Sequence, residues 1–250
     1  MIVQKESWAN ISLLHISAAH IKKDAPVMIF LHGFMSGKEH NLHYAYNLVE
    51  KGVRVILPDA LYHGERDEGM SEAQMSMVFW QIVFQSVREV GVLHEELVAR
   101  GYTGKVAVAG TSMGGITTAG CLMEYNWIDS AAILMGAVNY EMLLDSQLAD
   151  LKKLNLSFPL SDADLEQFRS KLAKYDAFKH PEAFERIPIF FWHGKQDPSV
   201  PFEMSYNFYA SQLAAGKATN IEYMADEKAG HAVSRAGVLK MVDFVVQHLA

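Results

Sequence analysis

The stretch Lys105-Val106-Ala107-Val108-Ala109-Gly110-Thr111-Ser112-Met113-Gly114-Gly115-Ile116 decides the fold. Its opening residues form a short apolar, valine-rich run, the signature of a buried strand. The run from Ile116 to Glu124 can continue as a helix. Between them the chain must turn abruptly, with Ser112 at the turn. A serine on so sharp a bend sits in strained backbone, and side chains two residues to either side would collide. Gly110 and Gly114 remove those side chains.

Working outward, similar apolar runs recur at 27–31, 53–57, 131–136, 187–192 and 220–224. Helical patterns lie between them. Residues 42–51 form one, closed by Gly52. A long one starts at Ser71 as its cap and runs toward Arg100-Gly101, with a bend expected at Gly91. Others cover 203–215, ending at Gly216, and 233–249. Ahead of them, residues 2–20 alternate loosely, and Ala9-Asn10 can turn a hairpin. Strands alternating with helices predict an α/β fold with a mostly parallel, doubly wound sheet. Residues 139–186 interrupt the alternation. They are polar, helical in pattern and split by Pro159. Apolar residues from Met142 to Leu154 and from Leu165 to Phe178 recur at near-helical spacing. The block is expected to be a helical cap insertion in a single domain spanning 1–250, setting chain-length selectivity for whatever binds beneath it.

Composition narrows the class. The chain has 250 residues, half of them apolar and a fifth charged, enough for a sizeable core. A net charge of -7 gives no nucleic-acid footprint. The single cysteine, Cys121, excludes an internal disulfide and a cysteine-based metal site. The start, Met1-Ile-Val-Gln-Lys-Glu, lacks a signal-peptide pattern, and the apolar helix of residues 75–90 is too polar to span a bilayer. A cytoplasmic protein without membrane partners is expected. The oligomeric state stays open.

Ligands of parallel α/β sheets bind at the carboxyl ends of strands. His32-Gly33, Asp59, Ser112 and Asp197 all fall just past strand ends. A serine hydroxyl is a weak nucleophile and needs a base, which needs a third group to orient it. For a serine on a strand–turn–helix elbow the chain order is serine, acid, histidine. Asp197 follows the 187–192 strand, and His231 lies between the last strand and the last helix. Ser112 is therefore the expected nucleophile, His231 the base and Asp197 the orienting carboxylate, with Asp226 the rival for the last role. The backbone N–H groups of Met113 and Phe34 are the expected oxyanion donors. Gly33, His63 and Met142 are the expected substrate contacts. His32 reads as a structural hydrogen-bonding residue. Asp59, His63 and Glu65 could be read as a metal site, but loop spacing supports it weakly. Asp59 and Arg66 read better as braces of their loop, so neither a metal nor a cofactor is expected.

From about residue 25 onward the chain resembles an α/β-hydrolase. The likeness rests on His32-Gly33-Phe34, Pro58-Asp59 with His63-Gly64, Gly110 to Gly115, Asp197-Pro198-Ser199-Val200-Pro201 and Gly230-His231. It is most similar to small bacterial esterases related to dienelactone hydrolases and to the catalytic domain of prolyl oligopeptidases. Dienelactone hydrolases carry cysteine at the elbow where this chain has Ser112. Prolyl oligopeptidases carry a propeller domain for which 250 residues leave no room. The resemblance implies a serine carboxylesterase for small to medium uncharged acyl esters. Thioesterase, lactonase, amidase and short-peptide hydrolase use the same triad, and a non-catalytic binding member is the alternative of a different class.

Overall fold

A computed structural model describes residues 1–153 and 161–250; Leu154 and Pro159, assigned above to the insertion, lie outside the described residues. The chain opens with an antiparallel hairpin, β1 (Ile2–Trp8) and β2 (Ile11–Ser17). Ala9 and Asn10 have φ of 46° and 66°, which a tight two-residue hairpin turn requires. There follow β3 (Val27–Leu31), β4 (Arg54–Pro58), β5 (Val106–Thr111), β6 (Ser130–Leu134), β7 (Ile189–Gly194) and β8 (Ile221–Asp226). Among the described residues these form one eight-stranded sheet in the order β1-β2-β4-β3-β5-β6-β7-β8. β2 is antiparallel to both its neighbours; from β4 to β8 every pairing is parallel.

The helices are α1 (Leu42–Glu50), α2 (Glu72–Met77), α3 (Phe79–Ala99), α4 (Met113–Glu124), α5 (Tyr140–Lys153), α6 (Asp162–Ala173), α7 (Glu182–Glu185), α8 (Glu203–Ala214) and α9 (Arg235–Leu249). They cover both sheet faces, and the strands divide their side chains between two cores with a period of two. Met28 and Phe30 of β3 join Tyr44 and Leu48 of α1 and Val242 and Val245 of α9. Val27 and Ile29 join Ile82 and Val83 of α3 and Ile116 and Leu122 of α4. Burial on both faces is why these strands read as solid apolar runs rather than alternating ones. No helix among the described residues is long and apolar enough to cross a membrane.

Two expectations change. The long helix from Ser71 is two helices that meet at Val78, whose φ of -104° and ψ of 10° leave the helical region. Ser71 does cap the first of them, exchanging hydrogen bonds with Gln74. α3 then runs unbroken through Gly91. That glycine serves close packing instead: the Tyr125 ring lies against it, and the Tyr125 hydroxyl donates to Val87 O at 3.0 Å.

The second change concerns the insertion. Tyr140, Leu143 and Leu144 of α5 are buried in the α3–α4 core. The Tyr140 ring lies 5.0 Å from that of Trp80, and Trp80 Nε1 donates to Gln147 Oε1 at 2.8 Å. The Tyr175 ring lies 5.1 Å from that of Phe84, tilted by 56°, and Phe184 packs 4.8 Å from Phe208 of α8. Arg186 donates to the Leu122 carbonyl at 2.5 Å at the end of α4. The described apolar residues of the insertion are therefore seated on α3, α4 and α8, at the end of α3 where Phe79 in turn meets Phe34. Met142 is 41% exposed and outside this core.

Glycines here differ sharply in what they tolerate. A Cβ on Gly114 would overlap the Leu31 and His32 carbonyls, whereas Gly52 at φ 85° has open space around it. Gly52→Ala should cost only the left-handed backbone penalty of about 1 kcal/mol. Gly114→Ala should cost about 3 kcal/mol or more, since backbone must move. Urea unfolding of the two variants checks this; equal costs would mean that the elbow is loosely packed.

Candidate active site

β5 ends at Thr111 and α4 begins at Met113, so Ser112 alone makes the turn. It pays in conformation: φ 54° and ψ -118° are strained for any residue with a side chain. Hydrogen bonds at 2.9 Å from Ser112 N to Leu134 O and from Ile116 N to Ser112 O hold it there. The glycines remove the two worst clashes. A Cβ on Gly110 would strike the Gly114 backbone, and one on Gly114 would strike the end of β3.

Asp197 follows β7, and His231 lies between β8 and α9. The fold brings both to Ser112. The Ser112 hydroxyl lies 2.8 Å from His231 Nε2, and His231 Nδ1 lies 2.7 Å from Asp197 Oδ2. A carboxylate only accepts, so Nδ1 carries the proton and Nε2 is free to take one from serine. The other oxygen, Asp197 Oδ1, accepts from the amides of Ser199 at 2.8 Å and Val200 at 3.0 Å. Burial alone would raise the Asp197 pKa. Hydrogen bonds from His193, His231 and the two amides outweigh it and hold the carboxyl well below the usual range, so it stays ionised. The Asp197 side chain is fully buried, while that of His231 is 25% exposed, open to an incoming molecule. The rival Asp226 turns to the amides of Lys228 and Ala229 at 3.2 Å and ties its own loop.

His193 was not singled out from sequence. It is buried, with Nε2 donating to Val200 O at 2.8 Å and lying 3.4 Å from Asp197 Oδ2. Its Nδ1 lies 2.9 Å from the Ser205 hydroxyl, which lies 2.9 Å from the Tyr223 hydroxyl. Because Nε2 already donates, Nδ1 accepts from Ser205. The Asp197 turn is thus closed from behind by a chain of groups on β7, α8 and β8. The four-residue spacing of His193 and Asp197 on the strand-end turn was the available signal.

The expected oxyanion donors border Ser112. A Cβ on Gly33 would stand 3.4 Å from Ser112 Cβ, which puts the Gly33–Phe34 peptide beside the hydroxyl. The Phe34 N–H donates to no acceptor among the described residues. Met113 is the first residue of α4, so no carbonyl one turn earlier takes its N–H, and the positive helix end lies there.

Two loops support this edge, and each fastens the other. From the loop after β3, His32 Nε2 accepts from Ala60 N at 3.0 Å. From the loop after β4, His63 Nε2 accepts from Met35 N at 3.1 Å. Both rings donate through Nδ1 at 2.8 Å, to Gly33 O and Leu61 O respectively. Beside them the Lys38 ammonium is paired with Asp59, both side chains fully buried. Asp59 also accepts from Lys38 N and Glu65 N, each at 3.1 Å. Burial works to lower the Lys38 pKa, but Asp59 and Glu39 override it and raise it, so the lysine stays charged. Arg66 donates to Glu89 through both terminal nitrogens at 2.7 and 2.8 Å and to Asp59 O at 3.0 Å. Asp59 and Arg66 do brace the loop, but through partners the sequence did not reveal.

Other expectations fall out as follows. His63 is 3% exposed with both ring nitrogens engaged, so it has no polar atom to offer a substrate. Asp59, His63 and Glu65 are each bonded elsewhere, Glu65 to Lys5 and Ser12, and among the described residues no cluster has metal-binding geometry. His40 and His43 are exposed and Cys121 is buried.

His32 supplies a pH prediction. Burial is the main cause that lowers its pKa from 6.5 to about 4, with Asp59 opposing and His63 and His40 assisting. Between these values the unfolded chain binds the proton first. Stability is therefore full above about pH 6.5 and is lost as pH falls toward 4, by up to roughly 3 kcal/mol from this residue. His32→Gln should flatten the acid limb of stability measured by urea unfolding at pH 7 and 4.5. An unaltered limb in a folded variant would assign it to other groups.

Residues 61–250 match the Prolyl oligopeptidase family. The chain is 37% identical to YitV of Bacillus subtilis over 252 residues, covering 99% of both proteins. It is 28% identical to Esterase YjfP of Escherichia coli, again over 99% of each. The crystal structure of TT1662 from Thermus thermophilus superposes with a TM-score of 0.74 at 20% identity, over 99% of this chain and 98% of that one. The eight-stranded, mostly parallel sheet with helices on both faces is the α/β-hydrolase fold, and this chain belongs to the prolyl oligopeptidase family.

Proposed function

We propose that the protein is a serine carboxylesterase that works through an acyl-enzyme. The observation that carries the reading is the unbroken relay from Ser112 Oγ through His231 to Asp197, at 2.8 and 2.7 Å. In the first half-reaction Ser112 Oγ attacks the ester carbonyl and passes its proton to His231 Nε2. The carbonyl oxygen gains the electron pair and is met by the N–H groups of Phe34 and Met113. Collapse expels the alkoxide, which leaves as the alcohol with the proton from His231. Water then attacks the acyl-serine, again losing a proton to His231, and the acid departs as Ser112 is re-formed. Asp197 remains ionised throughout and stabilises the imidazolium.

Two full-length relatives whose names carry the word esterase favour an ester over an amide. The family match favours a second reading, a short-peptide or amide hydrolase on the same groups. Hydrolysis of p-nitrophenyl esters against matching p-nitroanilides separates the two, and the ester reading expects the former to dominate. Thioesters and lactones require the same machinery and would compete within the first reading.

Ser112→Ala should lower ester kcat/KM by on the order of 10⁴-fold or more and abolish labelling by a fluorophosphonate probe. A variant that keeps a tenth of parent activity would overturn the nucleophile. Asp197→Asn should cost far more activity than Asp226→Asn, because only the first leaves His231 without its orienting partner. The reverse ranking would transfer that role to Asp226.

A further inference from the structure

Ser112 divides the carboxyl edge of the sheet. Asp197 and His231 come from β7 and β8, on one side of β5, while β3 and β4 lie on the other. A leaving alcohol must stay within reach of His231 Nε2 to receive its proton. With the carbonyl oxygen turned to Phe34 and Met113, the remaining substituent of the acyl carbon heads away from His231, toward the β3–β4 side.

On that side lies an open hollow of ≈ 320 Å³, within the range of small-molecule sites. Its walls include Met35, Tyr62, His63, Met70 and Met75, with Asp67 at the edge. Met35 of its wall directly follows Phe34 on the loop that abuts Ser112 through Gly33, so the hollow lies one residue beyond the proposed oxyanion donor. Met35 and Tyr62 both hold left-handed backbone, φ 55° and 63°, which bulky residues rarely adopt. The bond from Met35 N to His63 keeps the first of them there. As a result Met35 is 51% exposed, an unbranched apolar chain standing in solvent at the wall of the hollow. His63, its nitrogens facing backbone partners, adds ring surface rather than polarity. Thioethers and a phenol ring form the adaptable apolar part of a lining that Ser36 and Asp67 complete with polar groups, and that part suits a flexible chain.

We propose that this hollow is the acyl subsite and takes an unbranched aliphatic acyl chain, with Asp67 disfavouring chains that end in a carboxylate. The proposal rests on the serine-esterase reading. It moves chain-length selectivity from the insertion, where Leu143 and Leu144 are core residues, to the two loops that flank the oxyanion position.

The test uses Met70, a half-buried wall residue outside the hydrogen-bonded machinery. Parent, Met70→Trp, Met70→Ala and Met142→Trp are compared on acetyl, butyryl and octanoyl esters of one alcohol, and on acetates of lengthening alcohols. Filling the hollow in Met70→Trp should lower the octanoyl-to-acetyl ratio of kcat/KM by about tenfold or more while acetyl turnover stays within about twofold. Met70→Ala should shift the ratio the other way, and Met142→Trp should leave it alone. Asp67→Asn should raise turnover of a monosuccinyl ester by about threefold, the scale of one exposed charge. Unaltered acyl ratios in both Met70 variants would overturn the proposal, as would a change confined to the alcohol series. In those cases Ser112 still reacts with a fluorophosphonate and acetyl esters still turn over, so the esterase reading survives. A parent chain that neither labels nor hydrolyses acetyl esters overturns both.

Discussion

The contact on which the rest depends is backbone against backbone at the elbow. Gly110 lies on Gly114, and Gly114 lies on the carbonyls that end β3. No side chain fits between them. This closeness holds a strained Ser112 in place, and the same closeness brings Gly33 against it. Placement of Ser112 and placement of the Gly33–Phe34 loop beside it are therefore one constraint rather than two. The helix that begins at Met113 adds its unpaired N–H groups at the same point.

The two sides of that serine are kept in order by opposite electrostatic means. On the β7–β8 side a buried carboxylate is held ionised by two histidines and two amides. On the β3–β4 side two histidines are held neutral, because each must accept from a backbone amide through a nitrogen that a proton would block. The single buried ammonium there, Lys38, is matched by Asp59. Such a pair is not a strong source of net stability, but losing either member would strand the other charge.

Much of this was legible in the sequence, for definite reasons. Strands buried on both faces become unbroken apolar runs, so β3 to β7 could be read directly. The order serine, acid, histidine is the one an elbow serine of this kind uses, so Ser112, Asp197 and His231 could be singled out, and the fold brings their side chains together. Lys38 could not, because Ser36, Gly37 and Glu39 around it have the composition of a solvated loop. Its burial depends on a carboxylate 21 residues away. The break at Val78 was hidden because apolar residues continue across it. The insertion shows the limit of periodicity: spacing announced that Leu143 and Leu144 face something apolar, and only the fold says that it is the flank of α3 and α4.

The reciprocal bonding of the two loops also bears on how this site can be exchanged between relatives. His32 serves an amide of the second loop and His63 serves an amide of the first, while Lys38 and Asp59 span the same divide. A chimera joined anywhere between residues 39 and 58 takes one ring from each parent and separates the ammonium from its carboxylate. Unless the other parent carries the same residues, buried donors and acceptors are stranded, each at about 1 to 3 kcal/mol. A junction beyond Arg66 transfers the set whole. Arg66 needs Glu89 as well, so the segment from β3 to Glu89 is the smallest heritable unit of this half of the site.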